Sequence, residues 1–366
     1  MIRVMHIING EFYSGAERVQ DLLALRLPNY GYDVCLACIK PALFPLKCFS
    51  PQKQVCSFPM RSKIDLIQAL KITGYIRRHN FRIIHTHTPR ALLIGRIAAG
   101  IAQAPLIHHV HSPAGLCTDD PFRNRINGFI ERICLAGVKK IITVSESLKK
   151  HITAMGINSG RIAVVSNGVP APGILPCKTI PDKKWIIGMA ALFRPRKGLE
   201  ILLESLAHLK AQNIDFRFRA VGQFETEAYH SEIRMKVEKY KLGRRIDWVG
   251  FRQDVDHELQ KMDIFVLPSL AGEGMPMVIL EAMAAGVPVI SSGIEGIPEI
   301  IRHQKEGLLV EPGNSRSLTD ALKQIMQSKI KWPIVRENAF RRQLQFYTDL
   351  RMARNTASVY DEVLGK

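Results

Sequence analysis

The sequence lacks the segments that mark an exported or membrane-spanning chain. Residues 1–8 enter an apolar strand pattern directly, without the basic start, apolar middle and small-residue cleavage site of a signal peptide. The longest apolar stretch, residues 91–104, is interrupted by Arg96 and is shorter than the roughly 20 residues needed to cross a bilayer. We expect no export signal, no transmembrane helix and a cytoplasmic location.

Cysteine frameworks and the common phosphate-binding fingerprints are also missing. The seven cysteines are an odd number scattered through 366 residues, which favours free thiols in a reducing compartment, and the metal-like spacing of Cys35 and Cys38 has no second pair to complete a site. The loop at residues 9–18 has neither the dinucleotide G-x-G-x-x-G pattern nor a P-loop. Its Gly15, at the predicted start of a helix, fits either an anion contact or a plain turn.

Negative charge is scarce relative to positive charge. The chain has 51 Lys plus Arg against 33 Asp plus Glu, which gives a net charge of +18. Such a field attracts an anionic partner, which can be nucleic acid, an anionic membrane surface or a phosphate-bearing substrate. Charge alone does not choose among them.

Short β-branched runs alternate with helical patterns along the chain, which predicts parallel sheets covered by helices. Candidate strands are 3–8, 33–38, 83–86, 106–109, 140–144 and 162–165 in a first series, and 185–190, 216–221, 246–249, 264–267 and 287–291 in a second. Residues 168–181, between the series, hold four prolines and two glycines. The pattern predicts an α/β protein with doubly wound domains at 1–170 and 183–344, joined by a proline-rich linker at 171–182.

The first loop of the second domain is unusually basic. Strand 185–190 leads into Arg194-Pro-Arg196-Lys197-Gly at the start of a leucine-rich helix. Cations at the positive end of a helix are unfavourable by about 0.3–1 kcal/mol unless an anion is bound. We therefore interpret this loop as a diphosphate clamp rather than as a solvated basic loop.

The loop after strand 264–267 is the richest in candidate site residues. Glu273 is flanked by glycines, Pro276 suits the start of a helix, and Glu281 lies one to two turns into that helix. A carboxylate on an apolar helix destined for burial needs a partner. Either a pair of ligand hydroxyls or an arginine would serve for Glu281.

Two patterns resemble metal sites. Five histidines lie close together in the sequence: His85, His87, His108, His109 and His111. Because side chains alternate along strands, we expect these histidines to point to different faces, and no cysteine or acidic ligand accompanies them. The D-x-D form of Asp254 and Asp256 precedes an amphipathic segment, so we interpret Asp254 as a helix N-cap. We expect no metal.

Together these patterns resemble the retaining glycosyltransferases of family 4, which have the GT-B fold of two Rossmann-like domains facing a cleft. The resemblance covers essentially the whole chain. Its anchor is a pair of glutamates in Glu273-Gly-Met-Pro-Met-Val-Ile-Leu-Glu281, followed by Ala-Met-Ala-Ala-Gly-Val-Pro-Val-Ile. Shorter matches are Ser-Gly-Ala-Glu-Arg at 14–18, Val-Ser-Glu-Ser at 144–147, Ser-Asn-Gly-Val at 166–169 and Gly-Ile-Pro-Glu at 296–299.

The resemblance implies roles for particular residues. Glu273 would contact the donor sugar, Glu281 would hold the ribose hydroxyls, and His111 would lie near the transferred sugar. The implied catalytic residues are Glu273, His111, Lys197 and Arg194, and the implied donor-binding residues are Gly15, Arg194, Arg196, Lys197, Gly222, Gly274, Met275, Pro276, Met277 and Glu281.

The cations implied for the diphosphate depart from the family's commoner spacing. Lys197 and Arg194 take the places of the family's lysine and arginine, but Ala191 stands where many members carry the arginine, so Arg196 is an alternative clamp. These cations and helix N-termini would stabilise the charge that develops on the leaving diphosphate, so no cofactor or metal is required.

The resemblance implies transfer of a hexose-type sugar from a UDP- or GDP-sugar to a lipid-linked, lipopolysaccharide or exopolysaccharide acceptor. The first domain, with a C-terminal helix at 345–366 packed on it, would bind the acceptor. Two alternatives stay open. A non-hydrolysing nucleotide-sugar epimerase would convert the donor without an acceptor, and a basic nucleic-acid-binding protein would need neither glutamate. We expect no nucleic-acid partner.

A basic amphipathic segment is the candidate membrane contact. Its apolar residues are Ile64, Leu66, Ile67, Leu70, Ile72 and Ile76, and its basic residues are Arg61, Lys63, Lys71, Arg77 and Arg78. A helix of this kind either lies on anionic lipid or packs its apolar face into the core. With the net charge, the pattern favours a peripheral enzyme on the inner face of the cytoplasmic membrane.

Overall fold

The computed structural model describes residues 1–51, 54–62, 65–113, 132–181, 184–327 and 330–366. The chain divides into two compact units, one formed by Met1–Gly168 with Thr348–Lys366 and the other by Val169–Tyr347. Each unit is built on one sheet whose paired strands all run parallel. The predicted α/β class with two doubly wound sheets is confirmed.

The first unit has a seven-stranded sheet. Its strands are β1 (Ile2–Ile8), β2 (Tyr32–Cys38), β3 (Val55–Ser57), β4 (Ile83–Thr86), β5 (Leu106–Val110), β6 (Lys140–Thr143) and β7 (Ile162–Val164). They lie in the order β3-β2-β1-β4-β5-β6-β7. The strand order reverses between β1 and β4, and doubly wound sheets bind ligands outside the carboxyl ends of the strands at such a point.

The second unit has a six-stranded sheet. Its strands are β8 (Trp185–Ala190), β9 (Phe216–Val221), β10 (Ile246–Gly250), β11 (Ile264–Leu267), β12 (Val289–Ser292) and β13 (Gly307–Val310). They lie in the order β10-β9-β8-β11-β12-β13, so the reversal falls between β8 and β11. The loops after these two strands are the basic loop and the two-glutamate loop.

Helices connect the strands of both sheets. In the described residues they are α1 (Gly15–Arg26), α2 (Phe44–Lys47), α3 (Leu66–Arg78), α4 (Pro89–Ala102), α5 (Glu146–Ala154), α6 (Leu199–Ala211), α7 (Glu227–Lys239), α8 (Val255–Gln260), α9 (Met277–Ala284), α10 (Ile297–Ile300), α11 (Ser315–Met326), α12 (Trp332–Phe346) and α13 (Asp349–Leu364). Among them no helix is both long enough and apolar enough to cross a membrane.

The last helix, α13, belongs to the first unit. Its Asp349 pairs with Arg26 of α1 at 2.6 Å, Tyr32 of β2 donates a hydrogen bond to Asp361 at 2.5 Å, and Lys140 of β6 pairs with Glu362 at 2.5 Å. These contacts come from strands and helices far apart in the sequence. The C-terminal helix is therefore part of the first unit's packing.

The chain changes units beside Gly168. A Cβ on Gly168 would lie 2.1 Å from the carbonyl oxygen of Thr348, so only glycine permits this approach. Residues 171–181, the described part of the predicted linker, contain no helix or strand, and the Pro176 carbonyl accepts a hydrogen bond from Arg336 within the second unit. The observed unit boundaries are 168/169 and 347/348, against expected boundaries near 170 and 345.

Two strands were not predicted. β3 is an edge strand of three residues, and β13 is a strand of four residues that directly follows a turn. Both are too short to show a periodic pattern. The strand expected at 287–291 is found at Val289–Ser292. Cys35 and Cys38 lie buried in β2 as free thiols, and Cys117 lies outside the described residues.

Candidate active site

The basic loop and the two-glutamate loop of the second unit pack directly against each other. Gly198, which precedes α6, has a φ of +69°, and a Cβ at this position would lie 2.0 Å from the carbonyl oxygen of Pro268. Leu270 donates its backbone N–H to the carbonyl of Arg196 at 2.8 Å. A side chain at position 198 would force these loops apart.

Lys197 and Glu273 form a buried ion pair between the two loops. The Lys197 ammonium contacts Oε1 of Glu273, and the Ser269 hydroxyl donates to the same oxygen at 2.6 Å. The two side chains are 14% and 5% exposed. Burial lowers the pKa of Lys197, and the Glu273 carboxylate opposes that shift. The pair places one cation and one carboxylate at adjoining strand ends.

The two arginines of the basic loop have different partners. The Arg196 guanidinium donates to the carbonyl oxygens of Ala271 and Gly272 at 3.2 and 3.0 Å, so it braces the two-glutamate loop. Arg194 pairs with Glu225 at 3.2 Å and is 24% exposed. Of the two candidate clamps, Arg196 is the one bonded to protein backbone beside Glu273.

The second half of the two-glutamate loop leads into α9. Gly274, Met275 and Pro276 are buried, Pro276 occupies the N-cap position, and Met277 begins the helix. Glu281 is buried on the second turn of α9, as predicted. The positive end of the α9 dipole therefore lies at the end of the loop that carries Glu273.

Gly222 follows β9 and approaches the neighbouring loop closely. Its φ is +135°, and a Cβ there would lie 1.8 Å from the carbonyl oxygen of Ala191. The backbone of the loop after β9 therefore runs against that of the basic loop. Any side chain at position 222 would displace the loop that carries Lys197.

Sequence reasoning missed Glu295, which follows β12. Its carboxylate accepts the backbone N–H groups of Gly272, at 2.9 Å, and of Glu273. Glu295 has a φ of +46°, a conformation unusual for a residue with a side chain. No local signal indicates this contact, because it joins positions 22 residues apart through tertiary structure.

In the first unit, histidines from three strands meet at the strand-order reversal. His87 hydrogen-bonds to His111 at 3.1 Å and to His6 at 3.0 Å, and the Tyr360 hydroxyl bonds to His6 at 2.8 Å and to His85 at 2.6 Å. His6 and Tyr360 were not among the predicted site residues.

The expectation that strand alternation separates these histidines is wrong. His6 stands beside His85 in the parallel β1–β4 pairing, and His85 stands beside Ile107, so residues 85, 87, 109 and 111 share one face. His108 alone points to the other face, where it bonds to Thr86 at 2.9 Å.

Gly15 begins α1 at an exposed position after the first strand. The adjacent Ser14 donates its backbone N–H and its hydroxyl to the Glu17 carboxylate, at 3.3 and 2.6 Å. Burial raises the pKa of Glu17. Part of the anion-binding capacity of this helix start is thus occupied by the chain's own carboxylate.

The two patterns weighed as metal sites differ in outcome. Asp254 caps α8 by accepting the backbone N–H of His257 at 3.0 Å, which confirms the N-cap interpretation. Nitrogen atoms of His6, His85 and His87 lie within 4.8 Å of one another, as do those of His87, His109 and His111. The expectation that the site needs no metal stays a prediction.

Comparisons with known proteins cover both halves of the chain. Residues 176–342 match the family described as Glycosyl transferases group 1, and residues 13–171 match the one described as Glycosyltransferase Family 4. The UDP-Gal:alpha-D-GlcNAc-diphosphoundecaprenol alpha-1,3-galactosyltransferase of Escherichia coli is 27% identical over 352 residues, 90% of this chain and 89% of that protein. The amylovoran biosynthesis glycosyltransferase AmsK of Erwinia amylovora is 29% identical over 197 residues, 52% of this chain and 48% of that one.

Solved structures show the same fold. Anabaena HepE, crystallised with UDP-glucose, has a TM-score of 0.86 at 20% identity and covers 99% of this chain and 100% of its own. The lipopolysaccharide outer core galactosyltransferase WaaB has a TM-score of 0.76 at 17% identity with 99% and 100% coverage. The two parallel-sheet units are those of the GT-B fold, and the protein is a glycosyltransferase enzyme. It belongs to glycosyltransferase family 4.

Proposed function

We propose that this enzyme transfers a hexose from a UDP-sugar to a lipid-linked or polysaccharide acceptor of the bacterial cell envelope, with retention and without a metal. The observation that carries the proposal is the buried Lys197–Glu273 pair at adjoining strand ends, with Glu281 on the helix that follows. Two relatives support it: the Escherichia coli protein is named for UDP-Gal and a diphosphoundecaprenol acceptor, and Anabaena HepE was crystallised with UDP-glucose.

Each residue has a proposed role in breaking the bond between the sugar and the diphosphate. Lys197, with Arg194, stabilises the negative charge that develops on the leaving diphosphate, helped by the N-terminus of α9. Glu273, held by Ser269, contacts the sugar, and Glu281 binds the ribose hydroxyls. Positive groups fixed in place before the reaction cost no reorganisation as charge develops, so a divalent cation is not needed for this step.

Titration of UDP, GDP and UDP-hexoses into the purified chain tests the donor assignment. We expect UDP-hexose to bind more tightly than GDP. Glu281→Gln should weaken UDP binding by about ten- to a hundredfold, because a carboxylate that accepts two hydroxyl hydrogens is lost. Glu306, a buried glutamate that pairs with Arg302 in the same unit, provides the matched control, and Glu306→Gln should leave UDP affinity unchanged.

Absence of any nucleotide binding would contradict the proposal, as would equal losses in Glu281→Gln and Glu306→Gln. Incubating the enzyme with UDP-hexose alone distinguishes a glycosyltransferase from an epimerase, because an epimerase isomerises the donor without an acceptor. We expect the anomeric and ring proton signals of the donor to stay unchanged over the incubation.

We also propose that the enzyme works as a peripheral protein on an anionic membrane surface, through the outer face of α3. Ile72 and Ile76 of this helix are buried, whereas Leu66, Ile67 and Leu70 are 58%, 65% and 58% exposed. The exposed basic residues Arg61, Lys71, Arg77 and Arg78 lie on the same segment, and Lys63 and Ile64 lie outside the described residues. Exposed apolar and basic side chains on one segment suit anionic lipid.

Flotation with vesicles tests the membrane proposal. The wild type should float with vesicles that contain phosphatidylglycerol and lose this binding as salt rises, and Ile67→Ser/Leu70→Ser should float much less. Met235 on α7 is similarly exposed at 64% and lies in the other unit, so Met235→Ser is the matched control and should bind as the wild type does. Equal binding of all three proteins, or no binding at all, would contradict the proposal.

A further inference from the structure

A continuous chain of hydrogen bonds joins His111 to the C-terminal helix. Starting from His111, Nε2 bonds to Nδ1 of His87 at 3.1 Å, and Nε2 of His87 bonds to Nδ1 of His6 at 3.0 Å. The chain continues from Nε2 of His6 to the Tyr360 hydroxyl at 2.8 Å and from that hydroxyl to Nδ1 of His85 at 2.6 Å. Apart from His111, which is half-buried, all of these side chains are buried.

All of these imidazoles are neutral near pH 7, because burial disfavours their charged form. Burial lowers the pKa of His6 to about 3 and that of His111 to about 4, and it lowers the pKa values of His85 and His87 well below the ordinary value. A neutral imidazole has one N–H donor and one acceptor nitrogen. His6 and His87 use both nitrogens, so the three hydrogen bonds from His111 to Tyr360 run in one direction. The buried Tyr360 hydroxyl has one hydrogen and two imidazole neighbours, so all of its hydrogen bonds are satisfied only when it donates to one and accepts from the other, which extends that direction to His85.

The direction is determined at the His85 end of this chain of hydrogen bonds. Nε2 of His85 is buried and has no hydrogen-bond partner among the described residues. Among the backbone groups of native proteins, a buried N–H without an acceptor is rarer than a buried acceptor without a donor, and we apply the same preference to this imidazole. His85 therefore carries its proton on Nδ1 and donates it to Tyr360.

From that end the protons are placed one after another. With the His85 proton on Nδ1, the Tyr360 hydroxyl donates to Nε2 of His6, Nδ1 of His6 donates to Nε2 of His87, and Nδ1 of His87 donates to Nε2 of His111. Nε2 of His111 is then an acceptor, and the proton of His111 must lie on Nδ1. This is the less common tautomer of a histidine side chain in water.

We propose that Tyr360 and His6 are positioning residues that act through His87 to hold His111 as the Nδ1–H tautomer. His111 then offers a hydrogen-bond donor to its ligand, in a fixed ring orientation, instead of an acceptor. The tautomer follows from the first unit alone, and only the identity of the ligand as a sugar donor rests on the proposed function. The returning helix α13 thereby contributes to the site through Tyr360.

Nitrogen NMR of the full chain labelled with ¹⁵N-histidine tests the tautomer directly, without substrate. The His111 resonances are assigned by their loss in His111→Gln. In the wild type, Nδ1 of His111 should appear protonated and Nε2 unprotonated. In Tyr360→Phe, the hydroxyl that links His85 to His6 is gone, so the direction is no longer set and His111 should shift towards the Nε2–H form.

Tyr32→Phe is the matched control. The Tyr32 ring packs 5.0 Å from that of Tyr360, but the Tyr32 hydroxyl bonds to Asp361 and takes no part in the chain. This variant loses one buried hydroxyl from the same cluster of rings, so it should leave the His111 tautomer unchanged. In sugar transfer, Tyr360→Phe should lower kcat by about tenfold with little change in the KM for the donor, and Tyr32→Phe should change neither.

Several results would overturn the proposal. If Nε2 of His111 is protonated in the wild type, the hydrogen bonds from His111 to His85 run in the opposite direction and the proposal is wrong. This spectrum of the wild type is a sufficient test even if Tyr360→Phe fails to fold. An unchanged tautomer in folded Tyr360→Phe, or one stoichiometric transition metal in the purified wild type, also contradicts it, because His87, His109 and His111 would then offer lone pairs to the ion. If the tautomer behaves as expected but no sugar is transferred, the proposed function fails and the positioning role stands.

Discussion

Lys197 and Glu273 are each simple to locate in the sequence, but their pairing depends on tertiary structure. The basic loop and the two-glutamate loop are 76 residues apart, and the close approach of Gly198 to Pro268 brings them together. The cation therefore has two roles that a substitution must separate. It neutralises a buried carboxylate, and in our account it also stabilises the leaving diphosphate.

A pair of variants separates these two roles of Lys197. Lys197→Met should destabilise the fold by about 3 kcal/mol, because Glu273 is left buried and unpaired, and should lower kcat at least a hundredfold. Lys197→Met/Glu273→Leu should regain most of the stability in urea unfolding, yet remain inactive, because it lacks both the cation for the diphosphate and the carboxylate that contacts the sugar; stability and activity are thereby separated.

The Arg219–Glu258 pair provides the control for a purely structural effect. Arg219 donates to Glu258 at 2.7 Å, and the Glu258 side chain is 5% exposed. Arg219→Met should therefore destabilise the second unit while kcat stays near the wild-type value. Recovery of sugar transfer in Lys197→Met/Glu273→Leu would show that Lys197 is structural only.

The role of Glu295 could not be predicted from the sequence. Its importance depends on two backbone N–H groups, and backbone groups leave no mark in a sequence pattern. We expect Glu295→Gly to raise the KM for the donor by about tenfold, because the loop that carries Glu273 loses two hydrogen bonds, one of them to Gly272.

Glycine is the informative replacement at position 295, because it accepts the φ of +46° without strain. Glu295→Ala removes the same carboxylate but keeps the strained backbone. Similar KM values in the two variants would assign the effect to the carboxylate, as we expect. A wild-type KM in Glu295→Gly would contradict the role that we give to Glu295.

The strands were largely predictable from the sequence, and their register was not. Hydrophobic runs locate most strands, and Gly286, with a φ of +64°, ends α9 as its position in the sequence suggests. Period-two alternation correctly describes each strand by itself. Only the neighbours of β4 in the sheet reveal that histidines of β1, β4 and β5 share one face, because strand order is set by long-range packing.

The buried histidines predict a steep loss of stability in mild acid. Burial lowers the pKa of His6 and of His108 to about 3 and that of His111 to about 4, whereas an unfolded histidine titrates near 6.5. As the pH falls below about 6.5, the unfolded chain binds protons that the folded chain does not. The stabilisation is therefore complete above that pH and is lost towards the folded pKa values.

Urea unfolding at pH 7.5, 6.5, 5.5 and 5 measures this dependence. Between pH 6 and pH 5, each such histidine should lower the free energy of unfolding by up to about 1.4 kcal/mol per pH unit, and several act together. The folded first unit should therefore be lost well above the pH at which carboxylates titrate. A free energy of unfolding that is level from pH 7.5 to pH 5 would contradict the neutral, buried state of the cluster.

Alternation of strand and helix patterns, with one proline-rich segment between the two series, was enough to predict two doubly wound sheets. The exact boundaries between the units, after Gly168 and after Tyr347, were harder to predict from the sequence, because they depend on the contacts that α13 makes with β2 and β6. The net charge of +18 fits a chain that handles phosphate-bearing substrates, and it does not by itself specify the reaction.

Retaining sugar transfer can be followed by proton NMR of the enzyme with UDP-α-galactose and a GlcNAc-diphosphate-polyprenol. We expect a new anomeric signal with the small coupling of an α-linkage, which appears only when both substrates are present, persists in EDTA, and is lost in Lys197→Met/Glu273→Leu. A β-linked product would contradict retention. Isomerised or unchanged UDP-hexose across a panel of donors and acceptors would contradict sugar transfer itself.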